Sequence, residues 1–169
     1  MPIYVIGVGN PYRKDDGVGI EVARALRRLT LGDDVVVMER PMIDLSLLVE
    51  SEGAKRIILI DAVRAGSAPG RVVIVSPTED KEVRLELRLS HEPGLHDLVE
   101  AARQGGLRIS PIVVVGVEAE DCGTGEGLSR SVAEAVPLAV QAVLGELAKA
   151  GAALDVRSPR RGPKSRRRP

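Results

Sequence analysis

The chain has 169 residues, with 24 basic and 24 acidic side chains, two tyrosines, no phenylalanine or tryptophan, and one cysteine. This length fits one domain with an ordinary hydrophobic core. A single cysteine excludes an internal disulfide framework and a multi-cysteine zinc site. No continuous apolar run reaches the roughly 18 residues of a membrane span, and the sequence begins without a signal-peptide pattern. We therefore expect a soluble, cytoplasmic protein that does not bind a membrane.

The zero net charge conceals a basic C-terminal segment. Residues 157–169 contain seven Lys and Arg residues and no acid, so 17 basic and 24 acidic residues precede them. A segment of this composition, with three prolines and no apolar periodicity, cannot offset the entropy of ordering. We predict one α/β domain over residues 1–154 and a disordered basic tail over residues 155–169. The tail has no aromatic side chains for base stacking, so no nucleic-acid partner is expected.

The chain opens with an apolar strand over residues 3–8, which runs into a glycine turn and two adjacent acids, Asp15 and Asp16. The turn contains Asn10, the only asparagine in the chain. Asparagine tolerates left-handed backbone angles, so a turn without a ligand would explain it. Either acid can serve as the N-cap of the following helix. A cap explains one acid but not both, so this turn is a candidate site.

The glycines of this turn also suggest a dinucleotide-binding fingerprint, Gly-x-Gly-x-x-Gly. Counting from Gly7, the third glycine position falls on Tyr12, and Pro11 removes a backbone donor where a pyrophosphate would be bound. The sequence therefore argues against a nucleotide-binding domain.

Apolar runs alternate with helical patterns along the rest of the chain, which is typical of βαβ units. Strands are predicted over residues 3–8, 35–38, 56–61, 71–75 and 112–117. Helices are predicted over residues 18–29, 44–52, 95–103 and 132–147, with a kink or a restart at Pro137 in the last. The predicted fold is α/β, with three layers in which a twisted, mainly parallel five-stranded sheet is flanked by helices.

Polar side chains follow the predicted strands at the edge where open α/β sheets bind ligands. Asp15 and Asp16 follow the first strand, Asp61 closes the third, and His91 lies at or just before a helix start. Each has an ordinary explanation alone, since Asp61 can cap the next segment and His91 can be a helix-end histidine. Two carboxylates and an imidazole can together ligate a divalent transition metal. Their common edge favours such a site.

The motifs resemble those of the hydrogenase maturation endopeptidases, which process the large subunits of NiFe hydrogenases. The resemblance covers most of the domain and rests on five stretches in order: Gly7-Val-Gly-Asn10 with Asp15-Asp-Gly-Val-Gly19, Asp61-Ala62, Ser90-His-Glu-Pro-Gly-Leu95 with Asp97, the strand at residues 113–118, and Leu128-Ser129. By resemblance, the catalytic and metal-contacting positions of the family fall on Asp16, Asp61 and His91. Well-known members carry glutamate where this chain has the shorter Asp16, so Asp15 remains the alternative.

The resemblance implies an endopeptidase that removes the C-terminal extension of a nickel-loaded large-subunit precursor. The nickel belongs to the precursor and is a recognition element, and we expect the enzyme to be a monomer. Either nickel or the paired acids can activate water for the cut. Cys122 is also a candidate nucleophile, because its loop can place it near His91. It is less favoured than activated water. The alternative is a non-catalytic module that docks on the nickel-loaded precursor through the same residues.

Overall fold

A computed structural model describes residues 1–76, 88–89 and 94–159 of the chain. The elements in chain order are β1 (Ile3–Val8), a 3₁₀ helix (Lys14–Gly17), α1 (Val18–Leu26), β2 (Leu29–Leu31), β3 (Val35–Arg40), α2 (Leu45–Glu50), β4 (Arg56–Arg64), β5 (Val72–Val75), β6 (Arg88–Leu89), α3 (Leu95–Gln104), β7 (Ile112–Glu118), α4 (Arg130–Lys149) and β8 (Leu154–Pro159).

The main sheet has the strand order β3-β1-β4-β7-β5, with β6 paired to β4. The pairs β1–β3, β1–β4 and β4–β7 are parallel, whereas β5 on β7 and β6 on β4 are antiparallel. The predicted mainly parallel five-stranded sheet is therefore confirmed, and β6 adds a two-residue strand to it. The central strands β1, β4 and β7 are buried along nearly their whole length, as their continuous apolar sequences require.

Helices cover both faces of the sheet and form two separate hydrophobic clusters. Alternate residues of β4 divide between them: Ile58 and Ile60 pack with α1 and α4, whereas Ile57 and Leu59 pack with α2 and α3. The predicted three-layer arrangement is thereby confirmed. Asp61 continues the odd-numbered series on β4, which places its side chain on the α2 and α3 face of the sheet.

β4 does not end at Asp61, as the sequence predicts, but continues to Arg64. The extension forms because Ala62 and Val63 pair with Val117 and Glu118 of β7, and the last two residues of β4 also pair with β6. Asp61 is therefore an in-strand residue near the carboxyl end of β4. Its backbone pairs with Gly116 of β7.

The predicted first helix is too long, because α1 ends at Leu26 and Leu29 begins β2. β2 pairs with β8 in a separate antiparallel sheet, with Leu31 opposite Leu154 and Thr30 opposite Asp155. The structure differs from the predicted tail at residues 155–159, which belong to β8. Backbone hydrogen bonds to a strand edge do not require an apolar side-chain pattern, so composition did not reveal this pairing. Residues 160–169 of the predicted tail lie outside the described residues.

α4 runs without interruption through Pro137, so of the predicted kink or restart the restart is excluded. An interior proline removes one backbone hydrogen bond, but the buried side chains of α4, including Val132, Val143 and Leu147, pack along the sheet before and after Pro137.

α4 is also long and apolar enough to cross a membrane, with a mean hydropathy of 1.3 over 18 residues. Its buried face shows that in this fold it is a core helix.

Candidate functional site

The glycines of the opening motif allow backbone to pack directly on backbone. A Cβ atom on Gly19 would lie 2.2 Å from the carbonyl oxygen of Ile60 and 2.3 Å from that of Val8, so the start of α1 contacts β4 and β1 closely. Gly9 has a φ of +146°, and a Cβ atom there would lie 1.9 Å from the carbonyl oxygen of Asp16. The glycine pattern therefore holds the acidic segment against the carboxyl ends of two strands.

Asn10 organises the turn that precedes the acids. Its side-chain oxygen accepts a hydrogen bond from the backbone N–H of Tyr12 at 3.0 Å, and its carbonyl oxygen accepts one from Arg13 at 3.0 Å. Its own backbone N–H donates to Oδ2 of Asp16 at 3.1 Å. The single asparagine of the chain thus shapes the turn, and its backbone orients the carboxylate of Asp16.

The fold brings Asp16 and Asp61 onto contacting elements. Asp16 lies in the 3₁₀ helix, which contacts β4, and Asp61 lies near the carboxyl end of that strand. Their exposed fractions are only 1% and 0%. Oδ1 of Asp61 accepts a hydrogen bond from the backbone N–H of Ala62 at 2.8 Å. The predicted placement of both acids at one edge of the sheet is therefore observed.

Asp15 has a different environment from its neighbour. Its Oδ1 accepts a hydrogen bond from the Ser129 N–H at 2.7 Å. Its Oδ2 accepts bonds from the N–H groups of Glu120 and Asp121, at 2.9 and 2.8 Å, and from the Ser129 hydroxyl at 2.9 Å. Asp15 is fully buried and joins the 3₁₀ helix to the loop between β7 and α4. Neither acid is an N-cap, because no side chain caps the 3₁₀ helix or α1.

His91 lies outside the described residues, so its predicted contact with the two acids stays a prediction. The described elements on either side of it are β6, which pairs with β4, and α3, which lies on the same face of the sheet as Asp61. Within the described ranges, no three His, Cys, Asp or Glu residues are grouped as metal ligands. A three-ligand site at this edge therefore requires a residue from the remaining segments.

A second group of side chains at this edge was not predicted as a unit. Lys14 forms an ion pair with Asp121, and this contact raises the pKa of Lys14 and lowers that of Asp121. The next residue, Cys122, is buried, and its interaction with the guanidinium of Arg64 raises the pKa of Arg64. The sequence singled out Cys122 by its loop position. It held no local signal for Arg64, whose partner is distant in the chain.

Comparison with known proteins identifies the family. The family model HycI, described as hydrogenase maturation protease, matches residues 20–146, which is most of the chain. The chain belongs to the hydrogenase maturation protease family. The resemblance found in the sequence motifs is thereby confirmed.

The chain is also similar to individual proteins over most of their length. The hydrogenase 2 maturation protease of Escherichia coli K12 is 29% identical over 153 residues, which cover 89% of this chain and 93% of that protein. Protein FrxA of Pyrococcus furiosus is 32% identical over 140 residues, covering 77% and 93% of the two chains. The solved structure of the hydrogenase maturating endopeptidase HybD from Escherichia coli superposes with a TM-score of 0.79 at 29% identity, over 93% of this chain and 98% of the other. The chain is therefore an enzyme of a protease family with the HybD-like fold.

Proposed function

We propose that this hydrogenase maturation protease is an endopeptidase that removes the C-terminal extension of a NiFe hydrogenase large-subunit precursor after nickel insertion. In this proposal Asp16, Asp61 and His91 contact nickel that the precursor carries. The observation that supports it most directly is a pair of buried carboxylates, Asp16 and Asp61, on contacting elements at the carboxyl edge of the sheet. Open α/β sheets bind their ligands at this edge.

The path of the chain supports a contribution from His91. β6 runs antiparallel to β4, with Leu89 opposite Val63. β6 therefore runs along β4 in the direction of Asp61, which precedes Val63 by two residues, and His91 follows Leu89 by two residues in the sequence. An imidazole added to two carboxylates makes a ligand set suited to a divalent transition metal.

The backbone contacts of the two acids fit a recognition site for metal. A backbone N–H orients one oxygen of each carboxylate, from Asn10 in one case and from Ala62 in the other. Carboxylate and imidazole ligands do not compete well with thiolates for nickel. A site of this kind should bind nickel weakly alone and firmly when the cysteines of the precursor also hold the ion. Nickel then reports that the precursor is loaded.

A cavity lies on the α4 side of the 3₁₀ helix, and neither Asp16 nor Asp61 is among its lining residues. A cavity of about 490 Å³ borders the 3₁₀ helix at Lys14 and Gly17, and Leu128 and Val136 contribute apolar walls. Cavities of this size accommodate small ligands, and one or two side chains of a peptide have comparable volumes.

We further propose that the enzyme acts in the cytoplasm as a monomer on the folded precursor.

The proposal is tested by cleavage of a nickel-loaded precursor, read as intact mass. The wild-type protein should release one discrete C-terminal peptide, whereas the Asp16→Asn, Asp61→Asn and His91→Ala variants should not. Asp33→Asn is the matched control because Asp33 is an exposed aspartate outside the site, and it should cleave like the wild type. Folding of each variant is checked by its melting temperature.

Three results would contradict the proposal. Full cleavage by Asp16→Asn and by Asp61→Asn would remove both acids from the site. Loss of cleavage in Asp15→Asn at full stability, with Asp16→Asn active, would move the metal contact to the neighbouring acid. No cleavage by the wild-type protein, with stable binding of the loaded precursor, would identify a docking module instead.

A further inference from the structure

The cavity on the α4 side of the 3₁₀ helix has walls that are mainly apolar. Ala133 and Val136 lie three residues apart on one face of α4 and form one wall, together with Leu128 from the loop before the helix. Gly17 and Gly127 also line the cavity and present only backbone. These walls suit an apolar ligand group, because they leave few polar groups to be desolvated when the group binds.

The two charged side chains that line this cavity both have partners. Lys14 forms an ion pair with Asp121, and Glu21 accepts a hydrogen bond from Arg24 at 2.9 Å. An anion could pair with Lys14 only by displacing Asp121, and Glu21 would repel it. A cation could pair with Glu21 only by displacing Arg24, and Lys14 would repel it. The cavity therefore favours an uncharged group.

Backbone contacts between two loops hold the cavity open. The N–H of Lys14 donates to the carbonyl oxygen of Gly125 at 2.9 Å, and the N–H of Gly125 donates to that of Tyr12 at 2.9 Å. Lys14 has a φ of +47°, in the left-handed region that residues other than glycine seldom adopt. Such strained residues persist where surrounding contacts fix them, and they cluster at ligand-binding sites. The cavity is therefore preformed.

The 3₁₀ helix connects this cavity to the candidate site. Lys14 and Gly17 line the cavity, whereas Asp16 of the same four-residue helix is buried, and the helix contacts β4. At a rise of about 2 Å per residue the helix is about 8 Å long, which about three residues of extended chain can span. Tyr12 is 67% exposed next to Pro11 of the cavity wall. Exposed aromatic side chains are typical of protein interfaces.

We propose that this cavity is a docking subsite for an apolar side chain of the hydrogenase large-subunit precursor. This inference rests on the proposed function. The subsite holds the precursor next to the helix that carries Asp16 and takes no part in the chemistry. Its contacts are made equally with the bound precursor and with the transition state. The subsite therefore lowers KM and leaves kcat unchanged.

The test compares kcat and KM for cleavage of the nickel-loaded precursor by wild-type protein, Ala133→Trp, Ala133→Glu and the control Ala148→Trp. Ala133 is exposed in the cavity wall, so an indole there can fill the cavity without entering the core. Glutamate at the same position places a charge in the cavity instead. Ala148 is an exposed alanine near the other end of α4.

Burial of one apolar side chain changes a binding constant by roughly 10–150-fold. We expect KM to rise by about that factor in both Ala133 variants, with kcat changed by less than about twofold. Ala148→Trp should have wild-type kinetics. Melting temperatures close to that of the wild type show that each variant is folded, and the two Ala133 variants differ enough in size and polarity for one to serve if the other does not fold.

The side chain that occupies the subsite is found by changing the precursor. Apolar residues of the precursor near the cut are replaced by alanine, one at a time. One of these changes should raise KM for the wild-type enzyme and have little further effect on Ala133→Trp, because both changes remove the same contact. If every such change raised KM by the same factor for both enzymes, the precursor would have no side chain in the cavity, and the inference would be overturned.

The outcomes separate this inference from the function beneath it. Cleavage with an unchanged KM in both Ala133 variants overturns the docking role and leaves the proposed function standing. A fall in kcat at constant KM also overturns it, because the cavity would then act on the chemical step. If the wild-type protein does not cleave, the proposed activity fails, and fluorescence anisotropy then measures binding of the loaded precursor. Weaker binding by Ala133→Trp would retain the docking subsite, whereas equal binding would overturn it as well.

Discussion

Replacing Asp15 by asparagine should destabilise the fold and leave cleavage measurable, whereas the same change at Asp16 should abolish cleavage and leave stability nearly intact. The difference arises because the two neighbouring acids have different partners. Asp15 accepts four hydrogen bonds from residues of the loop between β7 and α4 and from Ser129. Asp16 is oriented by the backbone of Asn10, and an asparagine can keep that bond.

The magnitude for Asp15→Asn follows from its contacts. Asparagine has one acceptor oxygen, so at least one of the four bonds is lost, and a hydrogen bond to a charged group contributes about 1.5–3 kcal/mol. The remaining bonds become neutral and weaken, each by a few tenths to about 1 kcal/mol. The sum is about 3–5 kcal/mol. For a chain of this size that corresponds to a fall in melting temperature of about 6–20 °C.

Urea unfolding followed by circular dichroism measures this change, with Asp33→Asn as the exposed control. The m value should remain that of the wild type, because the folded and unfolded states are the same. An unfolding free energy of Asp15→Asn within about 1 kcal/mol of the wild type would refute the structural assignment of Asp15, since that is less than one charged hydrogen bond.

Three further changes test the fold. Gly19→Ala should lower the free energy of unfolding by about 1–3 kcal/mol or more, because its Cβ atom would overlap backbone oxygens of two strands. The control Gly145→Ala lies in open space on α4 and should raise the free energy of unfolding by about 0.5–1 kcal/mol. Equal effects of the two changes would contradict the close packing at Gly19. Asp44 caps α2 by accepting from the Leu47 N–H, so Asp44→Ala should lower the unfolding free energy at pH 7 by about 1 kcal/mol. Hydrogen bonds from the Ser46 side chain and the Leu47 N–H lower the pKa of Asp44 below 3.8. The stabilisation is therefore complete above pH 3.8 and is lost as the pH falls through the pKa that Asp44 has in the folded state. A difference in unfolding free energy between variant and wild type that grows in acid would contradict this. Deleting residues 160–169 should leave the melting temperature and cleavage unchanged. Deleting β8 as well should lower the melting temperature, because β2 loses its partner. Equal melting temperatures of the two deletion variants would contradict that pairing.

The sequence predicted the central architecture because its strongest signal is local. β1, β4 and β7 are continuous apolar runs, and such runs are typical of strands buried on both faces of a parallel sheet. The pairing of β2 with β8 had no such signal, since β2 has three residues and β8 lies in a mainly polar segment. The predicted tail therefore began at residue 155 rather than after β8. Backbone pairing between distant segments leaves little trace in composition.

The candidate site was predictable to the extent that strand ends reveal it. Asp16 and Asp61 follow or terminate apolar runs, so their common edge follows from a parallel sheet. The separate role of Asp15 was not predictable, because the residues that donate to it lie 105 to 114 positions away. The turn after β4 depends likewise on Glu118, whose contacts with that turn span 52 and 53 positions. Partners at such separations are defined only once the chain is folded.

The most direct test of the central claim is the intact mass of a NiFe hydrogenase large-subunit precursor after incubation with this protein, with and without nickel in the precursor. We expect the loaded precursor to lose one discrete C-terminal peptide and the nickel-free precursor to keep its full mass. Equal cleavage of both forms would show that nickel is not the feature the enzyme recognises. An unchanged mass for the loaded form would contradict the proposed endopeptidase activity itself.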